Sequence, residues 1–137
     1  MKNYFVDILT PDRVVASSIE ATSIKVETLR GEINILPEHT HLITSLYTGL
    51  LNIVDVNKKS HYFTVSKGIC KVLGDKITIL SSDSLTAKDV AKDAIEKENS
   101  EIRSKLQKTD LMNDEDINNL YEKLDYNDAA LKLLKFN

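Results

Sequence analysis

The sequence predicts a β-then-α fold, in which an N-terminal antiparallel β-sandwich is followed by an antiparallel two-helix hairpin. Two observations lead to this class. Up to residue 84 the chain consists of short, β-branched, alternating runs with turn signals every 8–12 residues or so. Beyond that point the apolar residues recur at helical spacing. We therefore expect two parts in the 137 residues, a sandwich over 1–84 and a helical hairpin over 85–137.

The sandwich prediction starts from residues 4–9, an alternating run that ends at the turn signal Thr10-Pro11-Asp12. Further runs of the same kind occupy residues 24–27, 49–56, 61–65, 69–73 and 76–80. Residues 57–60 and the pair Gly74-Asp75 have the composition of hairpin tips between these runs.

The first predicted helix starts near Thr86, because Thr86 and Asp89, three residues later, together resemble a capping box. Lys105 and Lys108 lie near its expected end, where cations favour the helix dipole. Its apolar stripe consists of Ala87, Val90, Ala91, Ala94, Ile95, Ile102 and Leu106.

The second predicted helix follows a short turn over residues 109–112 and starts at Asn113 or Asp114. Its stripe consists of Ile117, Leu120, Leu124, Leu131 and Leu134. A hairpin of two such helices is too small to bury its apolar surface by itself. We therefore expect it to dock on the β domain or on a partner.

Composition excludes several functional classes. Eighteen Lys and Arg against 21 Asp and Glu give a net charge of −3, which argues against a nucleic-acid partner. Cys70 is the only cysteine, so no internal disulfide can form. No stretch approaches the roughly 20 apolar residues of a membrane span, and the first seven residues do not form a secretory signal. We expect a soluble, intracellular protein that meets a membrane only through partners.

The net negative charge of the chain comes entirely from residues 85–137. Residues 1–84 carry nine acids and nine bases, whereas residues 85–137 carry 12 acids and nine bases. Residues 113–137 alone hold six acids and three bases, which is the whole surplus of −3.

Candidate catalytic groups are few. His39 and His41 are two residues apart but lack a clustered third ligand, so no metal site is expected. Cys70 lies in an apolar run and is interpreted as a buried structural thiol. The four glycines stand singly, so no phosphate-binding loop is present, and the helical carboxylates alternate with lysines. We expect no catalytic residue and no cofactor.

Residues 31–49 read GEINILPEHTHLITSLYTG, and this segment resembles the signature of the epsilon subunits of F-type ATP synthases, called delta in mitochondria. The matching positions are Gly31, Glu32, Ile35, Leu36, Pro37, His39, Leu42, Thr44, Leu46 and Gly49. Residues 5–11, 63–69 and 76–80 resemble the family as well. The sequence departs from the family at Glu38, usually glycine, and at His41, usually proline, so the local turn is expected to differ.

The resemblance implies a non-catalytic subunit in the central stalk of the rotor, which couples proton or sodium flow to ATP synthesis. It implies binding to the gamma subunit and the ring of c subunits, with Glu32 as a c-ring contact and His39 as a gamma contact. It further implies a hairpin that regulates ATP hydrolysis through the alpha and beta subunits. The implied location is peripheral, on the cytoplasmic side of the bacterial inner membrane.

Family members that sense ATP begin the first helix with a motif that is degenerate here. Asp89 is retained, Lys92 replaces the arginine, and Asp93 adds a charge that repels phosphate. We therefore expect no nucleotide site, and the acidic second helix predicts weak inhibition of hydrolysis. The alternatives are an unrelated β-sandwich adaptor and, more remotely, a small enzyme whose site is not recognisable from the sequence.

Overall fold

Eight strands and two helices make up the part of the chain that the computed structural model describes, residues 3–28, 30–35, 42–108, 110 and 112–136. The strands are β1 (Tyr4–Leu9), β2 (Val14–Thr28), β3 (Gly31–Ile35), β4 (Leu42–Leu46), β5 (Gly49–Asp55), β6 (Ser60–Val65), β7 (Gly68–Leu73) and β8 (Lys76–Ser81). The helices are α1 (Lys92–Leu106) and α2 (Asp114–Leu133), with single 3-10 turns at Ala87–Asp89 and Leu134–Phe136.

The strands form one continuous sheet in the order β4-β7-β8-β1-β2-β5-β6, with β3 paired to β2. The long β2 belongs to both layers of the sandwich, because it pairs with β1 along residues 14–21, with β5 along residues 21–28 and with β3 along residues 24–28. Its register shifts against β1 and β5, and the left-handed Ser18 donates its N–H to the Asp7 carboxylate at 2.7 Å. Such bulges sharpen the bend and twist of a strand, which lets β2 pass from one layer to the other.

The core lies between the two layers and is built from alternate residues of each strand. In β1 the inward residues Tyr4, Val6 and Ile8 are fully buried, and they face Val26 and Ile53 from β2 and β5 in one apolar cluster. The phenol of Tyr4 donates to the carbonyl of Ile35 at 2.8 Å, which ties β1 to β3 across the sandwich. The predicted β-sandwich followed by two helices is therefore confirmed.

The strand predictions were correct in position but incomplete. The run predicted over 24–27 is the end of a 15-residue strand, and the strands β3 and β4 were not predicted as strands. The tips at 57–60 and 74–75 are turns between paired strands, with Lys58 and Gly74 in the left-handed region that such turns require.

The predicted start of the first helix is wrong. Ala87–Asp89 form only a 3-10 turn, Val90 and Ala91 are extended, and α1 begins at Lys92. The Asp89 carboxylate accepts hydrogen bonds from the N–H and hydroxyl of Thr86, which closes the short turn on itself. Ala87, Val90 and Ala91 therefore do not belong to the apolar stripe. The start of α2 is as predicted, because the Asn113 side chain accepts from the N–H of Asp116 at 2.8 Å.

The helical hairpin packs on the outer face of β5 and β6 through α2, while α1 packs on α2. Leu50 and Thr64 point outward from these two strands and are nevertheless buried, as are Ala129 and Ala130 of α2. Between the helices, the amide of Asn127 donates to the side-chain oxygens of Asn99 and Glu98, both at 2.8 Å. The hairpin thus docks on the sandwich, which was one of the two expected outcomes.

A buried hydrogen bond joins the two parts. The hydroxyl of Thr64 in β6 donates to the phenol oxygen of Tyr126 in α2 at 2.8 Å, and accepts from the N–H of Leu85 at 2.8 Å.

We expect Tyr126→Phe to lower the free energy of unfolding by about 1–2 kcal/mol, because the Thr64 hydroxyl loses its buried acceptor. Thermal and urea unfolding measure this. Tyr121→Phe, at a 54% exposed position of the same helix, is the control and should leave stability unchanged. Equal stability of the two variants would contradict the prediction.

The β5–β6 turn is organised around Asp55. Its carboxylate binds the His61 ring at 2.8 Å and accepts the N–H groups of Lys59 and Asn57 at 3.0 and 2.9 Å. The His61 contact, followed by these backbone donors, lowers the pKa of Asp55 below its ordinary value of 3.8.

A lowered folded-state pKa has a predictable effect on acid stability. Its contribution is complete above the unfolded pKa of 3.8 and is lost as the pH falls through the lower folded value. We therefore expect Asp55→Asn to reduce stability at pH 7 and to lose less stability than the parent between pH 5 and pH 2. Urea unfolding across this range measures the difference, with the exposed Asp12→Asn as control. Parallel pH profiles for the parent and Asp55→Asn would refute the linkage.

Candidate docking surfaces

The two outer faces of the sandwich differ. Helix α2 covers the face of β5 and β6, whereas the described residues place no element over the face formed by β4, β7, β8 and β1. On that uncovered face the outward side chains are apolar over a large area. Phe5, Ile43, Ile69, Leu73 and Leu80 are all exposed, and Ile43 reaches 69% exposure.

The strand register aligns part of this surface into a row. Ile69 of β7 lies opposite Leu80 of β8, Leu80 lies opposite Leu9 of β1, and Leu9 lies opposite Val14 of β2. We call these four side chains the apolar row. Cross-strand neighbours on one face lie about 4.5–5.5 Å apart at Cβ, so the row is a continuous strip. The next row along the strands is polar, with Lys71 opposite Thr78 and Thr78 opposite Asp7.

A groove of about 740 Å³ is lined by three of the four residues of the apolar row. Leu9, Pro11, Tyr47, Ile69 and Leu80 line it, together with Lys67 and several small residues. Exposed apolar patches of this kind mark protein interaction sites, because they gain free energy when they are covered. The surface is suited to an apolar side chain from another protein rather than to polar chemistry.

Sequence reasoning did not find this surface. Its signal was present, because the runs 69–73 and 76–80 carry apolar residues at both alternating positions. A strand that is apolar on both faces indicates a second buried or docked face. The local pattern alone does not say which outer face the hairpin covers and which stays open.

Of the two contact residues implied by the resemblance, the structure describes one. Glu32 lies at the start of β3, beside the tip of the β2–β3 hairpin, is exposed, and forms an ion pair with Lys25 at 3.1 Å. Arg30 at the same tip lies over the ring of Tyr47, 4.5 Å from its centroid. His39, and with it the departures at Glu38 and His41, lies outside the described residues.

The two residues of the degenerate nucleotide motif have separate partners within the chain. Asp89 is engaged by Thr86 and by the guanidinium of Arg13 at 2.9 Å, and these contacts hold the pKa of its carboxyl below the usual value. Lys92 lies 4.0 Å from Glu96 along α1. The Asp89 carboxylate therefore already has partners from within the chain.

The remaining features considered from the sequence are the Cys70 thiol, a metal site and a membrane-spanning helix. Cys70 is buried in the sandwich core, and desolvation raises the pKa of its thiol to about 11. Among the described residues there is no cluster of three or more His, Cys, Asp or Glu side chains arranged to hold a metal ion. Within the same residues, neither helix has both the length and the apolarity that a bilayer span requires.

The fold and its surface define a class of protein: a β-sandwich with one outer face closed by its own helical hairpin and an opposite apolar face that no described element covers. The model of the ATP synthase delta/epsilon chain β-sandwich domain matches residues 3–87. The chain belongs to this family. The alternative of an unrelated β-sandwich adaptor is thereby removed.

Curated relatives agree with this assignment. The chain is similar to the ATP synthase epsilon chain of Desulfosudis oleivorans, with 33% identity over 89 residues, 65% of this chain and 66% of that protein. It is 40% identical to the epsilon chain of Brevibacillus brevis over 81 residues, 59% of this chain and 61% of that protein. It is 30% identical to the epsilon chain of Nitratidesulfovibrio vulgaris over 112 residues, which are 77% of this chain and 82% of that protein. The chain thus spans slightly less than two thirds of the length of the Desulfosudis oleivorans and Brevibacillus brevis relatives.

Solved structures share the fold. A chain of the Euglena gracilis mitochondrial ATP synthase superposes with a TM-score of 0.76 at 16% identity, covering 96% of this chain and 81% of that chain. A chain from the central stalk and c-ring of the Tetrahymena thermophila mitochondrial ATP synthase superposes with a TM-score of 0.51 at 21% identity. The superposition covers 68% of this chain and 75% of that chain. At these identities the likeness concerns the fold alone.

Proposed function

We propose that the chain is a non-catalytic rotor subunit in the central stalk of an ion-driven ATP synthase, where it couples ion flow to ATP synthesis. The observation that carries the proposal is the uncovered apolar face on a member of the delta/epsilon family. Such a face is stabilised when a partner covers it, and its centre has the apolar character of an interface core. On this proposal the gamma subunit covers the apolar row and fills the groove that the row lines.

A second contact is proposed at the tip of the β2–β3 hairpin. Glu32 is exposed there, and its ion pair with Lys25 lies at the surface, so either side chain is free to exchange partners at little cost. We propose Glu32 as a contact to the c-ring. The gamma contact proposed for His39 rests on the resemblance of residues 31–49 alone. Both contacts would hold the subunit peripherally at the cytoplasmic side of the bacterial inner membrane.

We further propose a division of labour between the two parts of the chain. Residues 1–84 form the docking domain, and residues 85–137 form a regulatory hairpin that meets the alpha and beta subunits. The support is that, among the described residues, the hairpin packs on the sandwich mainly through α2, on β5 and β6 and away from the apolar row. The docking face is thus accessible while the hairpin is folded down.

No regulatory nucleotide is proposed at the start of the helical part. Asp89 is engaged by Arg13 and Thr86, and Lys92 offers a point charge rather than the planar fork of arginine. The net charge of −3 over residues 113–137 supports weak electrostatic clamping on acidic catalytic subunits. Deletion of residues 85–137 should then raise ATP hydrolysis by the reconstituted complex only slightly. A large activation of ATP hydrolysis would contradict the proposal that the hairpin inhibits only weakly.

The stalk role is tested by co-purification. The full chain is co-expressed with the gamma subunit and with the c-ring of the same source, and each complex is isolated by a tag on the partner. A stable complex with gamma is the expected result, and charge reversal of Glu32 to Lys should weaken retention by the c-ring while leaving gamma binding intact. Failure to bind gamma at micromolar concentration would overturn the proposed function.

A further inference from the structure

Two ion pairs connect the sandwich to the helical part of the chain. Arg13, in the turn between β1 and β2, donates to the Asp89 carboxylate and to the carbonyl of Ser84, both at 2.9 Å. Lys67, in the turn between β6 and β7, lies 2.6 Å from the carboxylate of Glu122 on α2. We propose that these two pairs form an ionic latch that holds the hairpin against the sandwich and sets how readily it is released.

The latch is distinguished by where its partners lie in the chain. The other ion pairs of the described residues stay within one part. Three lie in the sandwich and two in the hairpin, namely Lys25–Glu32, Lys76–Asp7, His61–Asp55, Lys92–Glu96 and Lys123–Glu98. Arg13–Asp89 joins residues 76 positions apart, at the segment that leads from β8 into the hairpin. Both latch pairs therefore join the sandwich to residues 85–137, one at the approach to α1 and one on α2.

Acidic side chains surround Lys67 at the boundary between α2 and the sandwich. Glu122 and Asp125 line a cavity shared with the sandwich, where Lys67 and Arg30 provide the cations, and Arg30 is already placed over Tyr47. Nearby, Asp125 and Asp128 line a second cavity that also includes Glu27 and Glu32 of the sandwich and Lys132 of α2. Acidic side chains of both parts therefore line this boundary, and the Lys67–Glu122 pair adds an attraction across it.

The latch is built to open. All four side chains are partly exposed, so each pair is weak and is screened by salt. A hairpin held only by buried apolar contacts would show little dependence on ionic strength. Release of this hairpin should instead increase as the salt concentration rises.

Two backbone amides report hairpin release directly. The N–H of Thr64 donates to the carbonyl of Leu85 at 3.0 Å, and the N–H of Leu85 donates to the Thr64 hydroxyl at 2.8 Å. These bonds exist only while the segment after β8 lies on β6. Their hydrogen exchange in the full chain, followed by NMR, therefore measures the opening equilibrium even when the open state is rare. The amide of Ile79, within the β8 ladder, serves as the reference for the sandwich itself.

We expect Arg13→Gln and Lys67→Gln each to accelerate exchange at Thr64 and Leu85 about two- to fivefold, and the double variant about tenfold. Raising NaCl from 50 mM to 1 M should accelerate the parent and reduce its difference from the double variant. The matched control is Lys92→Gln, which breaks an ion pair confined to α1. Neither the control nor the Ile79 amide should change.

A charge swap tests the geometry of one pair. Lys67→Glu combined with Glu122→Lys should restore slow exchange relative to Lys67→Glu alone. The proposal is overturned if the double Gln variant exchanges at the parent rate at low salt. It is equally overturned if Lys92→Gln accelerates exchange as much as the latch variants, because general charge loss would then explain the effect.

Discussion

Alanine at Gly49 or at Gly68 should prevent the sandwich from closing, with a loss of about 3 kcal/mol or more in the free energy of unfolding. A Cβ at Gly49 would lie 2.1 Å from the backbone carbonyl oxygen of Glu27, and one at Gly68 would lie 2.3 Å from that of Leu80. Both oxygens belong to paired strands, so neither can move aside without disturbing the sheet.

Gly74→Ala is the matched control for these variants. Gly74 has a φ of +63°, but no atom lies within 4 Å of the position of an added Cβ. Its substitution should cost about 1 kcal/mol, the strain of a left-handed alanine, without any clash. Urea unfolding followed by circular dichroism gives all three values. If Gly49→Ala and Gly68→Ala are no less stable than Gly74→Ala, the close approach of these strands is not a constraint on the fold.

Charge placed in the apolar row should abolish binding of the gamma subunit without unfolding the protein. Ile69→Asp and Leu80→Asp each put a carboxylate at the centre of the proposed interface, where it would lose water and find no partner. Central apolar contacts of an interface contribute about 2 kcal/mol or more each, so we expect at least about a 30-fold weaker affinity for gamma. Both side chains are exposed in the free subunit, and its unfolding free energy should change little.

Val56→Asp provides the control for this series. Val56 is also an exposed apolar residue, but it lies at the tip between β5 and β6, away from the apolar row. Calorimetric titration with purified gamma measures all three variants, and thermal unfolding of each free variant excludes misfolding. Parent-like affinity of both Ile69→Asp and Leu80→Asp would show that gamma does not bind this face.

The candidate surfaces were only partly predictable. The sequence segment around Glu32 pointed to a polar tip, and the structure places Glu32 there, exposed beside Lys25. The apolar row was missed because its four members come from four strands spread over residues 9–80. Register brings them together, and register depends on pairing across the whole sheet.

What the sequence by itself determined is local or shared with relatives. Alternation in runs such as 76–80 identified strands, the Asn113 cap identified the start of α2, and residues 31–49 carried the family. These signals suffice because side-chain periodicity and capping act over a few residues. They predicted the order of sandwich and hairpin, and they located the surplus negative charge in residues 113–137.

Tertiary structure decided the rest. It decided that β2 bends through both layers, that α2 closes one outer face of the sandwich, and that no other described element covers the opposite face. It also moved the start of the first helix to Lys92, because Asp89 forms a short turn with Thr86 and pairs with Arg13. The physical reason is the same in each case. The deciding contacts join residues far apart in the chain, and their free energy exceeds the local preference that the sequence pattern expresses.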